Sequence, residues 1–344
     1  MGEALVTPVT VLTGFLGSGK TTLLNALLHD ARFADTAVIV NEWGDIAIDH
    51  ALVRASNENI VTLAGGCICC RVAGDLVGTL RELHFQRASG IVARFRRVLI
   101  ETTGLADPAP LLATLIEMPV VAARYTLSGV VTTVDAEHAA RTLDRHPEAV
   151  KQVAMADRLV ITKCDRVGEA AIAPLEARLC ALNPGAPILR SSRGDADAER
   201  LFDAGLYRLE GGIDAHGWLN AGAYRDFSPT GSRNVHDERI ASFAWTADAA
   251  LDAQEFGAAL EALVKLQGAR ILRMKGLARI AGEDGPMAVH AVQHTLYPPA
   301  WLDRWPDADR RTRLVFIGRD LEESAVAQIL DSFLVSNARH GLPR

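Results

Sequence analysis

The N-terminal half of the chain alternates short, β-branched apolar runs with stretches of helical periodicity. The runs fall at positions 9–12, 36–41, 60–64, 98–100, 129–134, 159–161 and 187–190. Consecutive apolar positions over so few residues are the pattern of strands buried on both faces. Positions 22–28 and 75–88 carry apolar residues at helical spacing, and the other connections are long enough for crossover helices. The alternation predicts an α/β domain with a mostly parallel sheet, helices on both faces and ligands at the carboxyl ends of the strands.

The pattern then changes. Gly, Asp, Ser and Arg dominate positions 211–238, which read as a linker. Beyond it come a strand (240–245), a helix (253–266), three strands (270–275, 287–296, 313–317) and a helix (322–334). The expected organisation is a nucleotide-binding domain over 1–210, a linker over 211–238 and a smaller α+β domain over 239–344. A length of 344 residues agrees with two cores.

Composition narrows the partners. Hydrophobic residues make up 49%, charged residues 23%, and the formal net charge is -6, with no basic stripe, so nucleic acid is not expected. The longest apolar stretch, 111–123, is interrupted by Glu117 and Pro119 and is too short for a bilayer. No secretory leader is evident, and a cytoplasmic protein, monomer or homodimer, is the expectation. Arg94, Arg96 and Arg97 read as a solvated loop before a strand. Three of the five cysteines crowd into Cys67, Cys69 and Cys70, which is no disulfide framework; Cys164 and Cys180 read as small buried residues.

The chemistry begins after the first strand. Gly14-Phe15-Leu16-Gly17-Ser18-Gly19-Lys20-Thr21 fills every fixed position of the phosphate-loop pattern G-x-x-x-x-G-K-T/S and lies between a strand and a helix that begins near Thr22. Glycines allow backbone N–H groups to converge on a polyphosphate at a helix N-terminus. Lys20 would reach the β- and γ-phosphates from a surface-facing position in the empty loop, and the Thr21 hydroxyl would ligate Mg²⁺. The fold expected is therefore that of a P-loop NTPase. Glu101, ending a hydrophobic strand, would hold a magnesium-bound water or orient the attacking water. Gly104 behind it would offer a backbone N–H to the γ-phosphate; a helix-capping acid is the plainer reading of Glu101.

Thr162-Lys163-Cys164-Asp165 follows another buried strand. The Asp165 carboxylate can accept two hydrogen bonds from guanine, a donor pair adenine lacks, so GTP is the expected nucleotide. Lys163 would lay its stem on the base. Thr162 stands where Asn is usual and loses reach to the base and to the neighbouring loop. In Cys67-Ile68-Cys69-Cys70 the thiolates can share one soft ion if Gly65-Gly66 kink the connector. Three ligands leave a position open for water, for Glu42 of the Asn41-Glu42-Trp43-Gly44 turn, or for a partner; a thiol-redox centre and unligated cysteines remain alternatives. This connector is expected one strand end away from the phosphate loop.

These segments, with Glu101-Thr102-Thr103-Gly104-Leu105-Ala106-Asp107-Pro108 and, later, Arg273-Met274-Lys275-Gly276 and Arg311-Thr312-Arg313-Leu314-Val315-Phe316-Ile317-Gly318, together resemble the CobW family of metallochaperone GTPases over nearly the whole chain. Trp43 stands where that family usually has Phe, and 211–238 holds only His216 and His236 rather than a His-rich run. The resemblance implies GTP hydrolysis coupled to delivery of Zn²⁺, Co²⁺ or another transition metal to a client metalloprotein. The alternatives are a GTP- and metal-binding regulatory module with negligible turnover and, disfavoured by Asp165, a small-molecule kinase.

Overall fold

The computed structural model describes residues 6–41, 60–63, 71–195, 201, 207–208, 212–213 and 240–334. The chain divides into two compact units, Met1–Cys180 with Ala186–Gly212 and Ala181–Gly185 with Ile213–Arg344.

In the first unit all seven expected runs are strands: β1 (Thr7–Gly14), β2 (Thr36–Asn41), β3 (Ile60–Leu63), β4 (Arg97–Glu101), β5 (Tyr125–Asp135), β6 (Arg158–Thr162) and β7 (Ile188–Arg190). They form one sheet in the order β3-β2-β4-β1-β5-β6-β7, and every pairing is parallel. All carboxyl ends therefore lie on one edge, with β1 in the middle. The cysteine connector follows β3, and β3 is separated from β1 by both β2 and β4. The end of β3 is thus three strand spacings of roughly 4.8 Å from β1, not one, and the connector itself lies outside the described residues.

Helix α1 (Lys20–Leu28) packs Leu23, Leu24 and Leu27 on Leu12, Val38, Leu99, Val131 and Val160. Side chains alternate across a strand, so the neighbouring positions face the opposite side. There α2 (Arg71–Ala88), α3 (Ala109–Glu117), α4 (Pro119–Ala122), α5 (Ala139–Arg145), α6 (Pro147–Met155) and α7 (Glu169–Leu182) connect the strands. The Tyr125 hydroxyl donates to the Leu80 carbonyl of α2 at 2.9 Å, and the Thr132 hydroxyl to the Gln152 carbonyl of α6 at 2.9 Å. The apolar stretch at 111–123 is two helices, parted at Met118 because the residue before a proline avoids helical backbone.

Two surface expectations change. Arg97 opens β4, where its guanidinium lies 4.9 Å from the centre of the Phe33 ring and 3.3 Å from Asp35; it is a packed cation rather than a loop residue. Cys180 is exposed and Cys164 half-buried. Leu175, Leu179 and Leu182 take the inner side of α7, which turns Cys180 outward.

Short strands β8 (Tyr207–Arg208) and β9 (Gly212–Ile213) pair with each other, so the expected linker opens with a strand; 214–238 lie outside the described residues. The second unit is an antiparallel sheet of β10 (Ile240–Ala247), β11 (Ile271–Ala278), β12 (Met287–Val292), β13 (Thr295–Leu296), β14 (Ala300–Trp301) and β15 (Thr312–Arg319). Helices α8 (Ala253–Gln267) and α9 (Glu323–Leu334) supply Phe256, Leu260, Leu263, Val326 and Leu330 to a core with Met274, Leu314 and Phe316. The single strand expected at 287–296 is two, folded back at Gln293, whose φ of 50° is left-handed. No helix among the described residues is long and apolar enough to cross a membrane.

Candidate nucleotide site

The carboxyl end of β1 turns into α1 through Gly14, Gly17 and Gly19, with φ of 142°, 72° and 87°. Gly14 is confined as well as left-handed. A Cβ there would stand 2.3 Å from Thr133 Oγ1 and 2.5 Å from the Thr133 carbonyl. We expect Gly14→Ala to cost about 1–3 kcal/mol in overpacking before its backbone strain is counted, and urea unfolding of the variant checks it. Stability equal to that of the native chain would contradict the geometry.

Around this turn several hydroxyls are engaged by strand ends. Ser18 Oγ lies 2.6 Å from Thr133 Oγ1, and the Thr102 hydroxyl donates to Thr13 Oγ1 at 2.8 Å. Lys20 is 8% exposed, not surface-facing: its Nζ donates to the carbonyls of Gly14 (2.9 Å) and Phe15 (3.2 Å). Burial pushes its ammonium down from the ordinary lysine value, and attraction to Glu101 offsets part of that. The ammonium thus lies across the nest, held by oxygens that a phosphate can replace.

The Thr21 hydroxyl donates to Glu101 Oε1 at 2.8 Å, and Glu101 is 5% exposed. A hydroxyl and a carboxylate side by side next to an ammonium form the oxygen pair that a divalent cation bridging two phosphates needs. Gly104 abuts Leu16, since a Cβ on it would meet the Leu16 backbone N at 2.6 Å; only glycine lets the loop after β4 lie against the phosphate loop. Thr22, on the first turn of α1, is exposed.

Thr162 departs from the sequence expectation. Its hydroxyl donates to the Ser18 carbonyl at 2.7 Å, so it does reach the neighbouring loop. Gly19, next to Ser18, is needed for its φ of 87° rather than for space, since a Cβ there would only touch Thr162 at 3.4 Å. Lys163, with φ of 56°, donates to Asp135 Oδ2 at 2.7 Å. Burial raises the Asp135 carboxyl, but hydrogen bonds from Lys163, the Glu137 N–H and His138 outweigh it and leave it below the ordinary value. Asp165 stands 3.7 Å from Arg193 Nε, on the loop that follows β7. Sequence reading missed that loop, Ser191-Ser192-Arg193-Gly194, although the same rule of polar strand ends would have marked it. It also missed Thr133, a polar residue inside a buried run, and Gln152.

Glu42, Cys67, Cys69 and Cys70 lie outside the described residues. Among the described residues, Asp135, Glu137 and His138 bring ligand atoms within 4.8 Å of one another, but the Lys163 ammonium already neutralises Asp135.

Residues 8–190 match the family model described as CobW/HypB/UreG, nucleotide-binding domain. The chain belongs to the CobW/HypB/UreG family. Its second unit follows suit, with residues 240–334 matching the cobalamin synthesis protein cobW C-terminal domain. Among curated relatives, the zinc chaperone YjiA of Escherichia coli is 34% identical over 92% of this chain and 96% of its own length. The zinc chaperone CobW of Pseudomonas aeruginosa is 32% identical over 95% and 91%. A crystal structure of Zn(II)-bound YjiA GTPase from E. coli superposes with a TM-score of 0.67 at 28% identity, covering 95% of this CobW-family chain and 99% of that one.

Proposed function

We propose that this chain hydrolyses GTP and uses the cycle to load zinc, taken up at Cys67, Cys69 and Cys70, into a client metalloprotein. The chain is a GTPase of the CobW/HypB/UreG family. The observation that carries the catalytic half is the Thr21–Glu101 hydrogen bond beside the Lys20 ammonium, an oxygen pair and a cation converging on one nest. Mg²⁺ held by Thr21, with Glu101 behind it, would neutralise charge on the β- and γ-phosphates. Lys20 exchanges the Gly14 and Phe15 carbonyls for phosphate oxygens. Glu101 would hold a magnesium-bound water or orient the attacking water, and Gly104, packed against Leu16, would offer its backbone N–H to the γ-phosphate once the loop closes.

The zinc half rests on three soft ligands in four residues and on the two relatives called zinc chaperones. Thiolates bind Co²⁺ as well, so cobalt is the competing cargo. Glu42 is proposed as a fourth ligand. The alternative, a regulatory module with negligible turnover, is separated by single-turnover hydrolysis of GTP by the zinc-loaded chain with and without a metal acceptor. Zinc transfer that proceeds equally with GTP and with a non-hydrolysable analogue would overturn a hydrolysis-driven delivery.

Asp165 is proposed as the guanine reader. Asp165→Asn replaces one acceptor by a donor and should weaken GTP binding by about 10- to 150-fold, the range for losing one hydrogen bond to a charged group, while narrowing the preference over ATP. Competition binding measures it, and an unchanged GTP-to-ATP ratio would remove Asp165 from base recognition.

A further inference from the structure

Beside the nest, a cavity of about 500 Å³ opens between the phosphate loop, the end of β5 and helices α5 and α6. It adjoins the nucleotide site, sharing Phe15 to Ser18 with the phosphate loop and Lys163 with the base-reading turn, but Gly19, Lys20, Thr21 and Asp165 are not in its lining, so an occupant here need not displace the phosphates.

The lining states what it would hold. At the floor, Gln152 is fully buried, and its Nε2 is committed to the carbonyls of Ala106 (3.0 Å) and Gly104 (3.3 Å). Those two carbonyls fix which end of the amide is nitrogen. The other end, Oε1, accepts no hydrogen bond among the described residues. A buried acceptor left bare is costly, and an N–H or O–H donor inside the cavity would satisfy it. Arg141 and Arg145 of α5 also line the cavity, and neither makes an ion pair among the described residues. Asp135, the one carboxylate among the described lining residues, is taken by Lys163. The wall is flat and apolar: the Phe15 ring lies 4.5 Å from that of His146 at 31°, with Leu143, Ala149 and Val153 around them.

We propose that this cavity binds a planar ring compound bearing an N–H donor and an anionic arm, and that its occupant governs the loop after β4 through Gln152. The ring lies along Phe15, the donor meets Gln152 Oε1 and the arm pairs with Arg141 and Arg145. Gln152 holds Gly104 and Ala106 with its other end, and the adjacent Lys151 ammonium holds Asp107 Oδ2 at 2.9 Å. A ligand that anchors the amide pins this loop as it stands, and hydrolysis slows.

Two sources share this chemistry, a nucleoside monophosphate and an aromatic carboxylate. Adenosine monophosphate, which lacks the donor pair read by Asp165, and indole-3-acetate represent them. The full chain, saturated with Mg²⁺ and a non-hydrolysable GTP analogue, is titrated with each by calorimetry. One of the two should bind at one per chain. Binding should weaken at least ten-fold in Thr142→Trp, which fills the cavity from α5, and in the Arg141→Ala, Arg145→Ala double variant. With GTP in place of the analogue, the bound probe should slow turnover several-fold, and Gln152→Leu should abolish that slowing. Absence of binding by both probes, displacement by excess analogue, or unchanged binding in Thr142→Trp would overturn the site. Binding without any effect on turnover would overturn the coupling. The turnover readout rests on the GTPase reading; the binding readout does not, so the two failures are distinguishable.

Discussion

Lys20→Ala should lower GTP turnover by roughly 10²–10³-fold or more, the loss that follows removal of one preorganised group stabilising transition-state charge. Lys20 Nζ already spans the Gly14 and Phe15 carbonyls and is drawn toward Glu101, and in the proposed mechanism it meets the charge that develops on the transferring phosphoryl group. Its burial also modifies what the fold should feel. Alanine removes an ammonium that burial disfavours, yet it leaves two carbonyls without their donor, and these effects oppose each other. A small change in melting temperature is expected rather than none. The pH dependence has a definite sign. Because the folded-state value of Lys20 is lowered from 10.5, the unfolded chain binds more protons in the interval between the two values, and stability contributed by this group rises with pH there. That slope should vanish in Lys20→Ala. Phosphate release at the native rate would remove the phosphate loop from the mechanism.

Changing Cys67, Cys69 and Cys70 together to Ser should abolish zinc binding while GTP binding survives. In the native chain, zinc affinity should differ by roughly 5- to 150-fold between the GTP-analogue and GDP forms, a coupling of about 1–3 kcal/mol, with the reciprocal change in nucleotide affinity that linkage requires. The sheet order suggests the route. Between the connector after β3 and the phosphate loop after β1 stand the ends of β2 and β4, and β4 ends in Glu101, the partner of Thr21. Glu101, at the end of β4, is a described group between the two that also touches the phosphate loop. Zinc titrations of both nucleotide forms measure it; equal affinities would refute a chaperone cycle and return the cysteines to a structural or redox role.

The strands and the phosphate loop were legible because each depends on local pattern: consecutive apolar residues for a doubly buried strand, fixed spacing for the nest. What was not legible depends on how the backbone folds back on itself or on groups distant in sequence. Lys20 is buried because its own loop folds back to offer two carbonyls, which no spacing announces. Thr162 reaches Ser18 only once β6 lies beside β5, 144 residues along the chain from its partner. Gln152 reads as one amide on a helix until the loop at 104–106 arrives at its nitrogen. The hairpin at Gln293 escaped because Gln-His lacks the Gly, Asn or Asp that normally marks left-handed backbone.

The hydrogen bond from Thr162 to Ser18 closes across 144 residues, and β1 reaches its sheet neighbours only when β4 and β5 exist. Seen in the order of synthesis, the first motif to leave the ribosome is among the last to be finished. Its lysine, hydroxyls and glycines emerge early, but the groups that hold them in shape are translated much later, and non-local closures of this kind are slow to form. A growing chain thus lacks the contact that ties Ser18 to the sheet until β6 has been made and paired with β5.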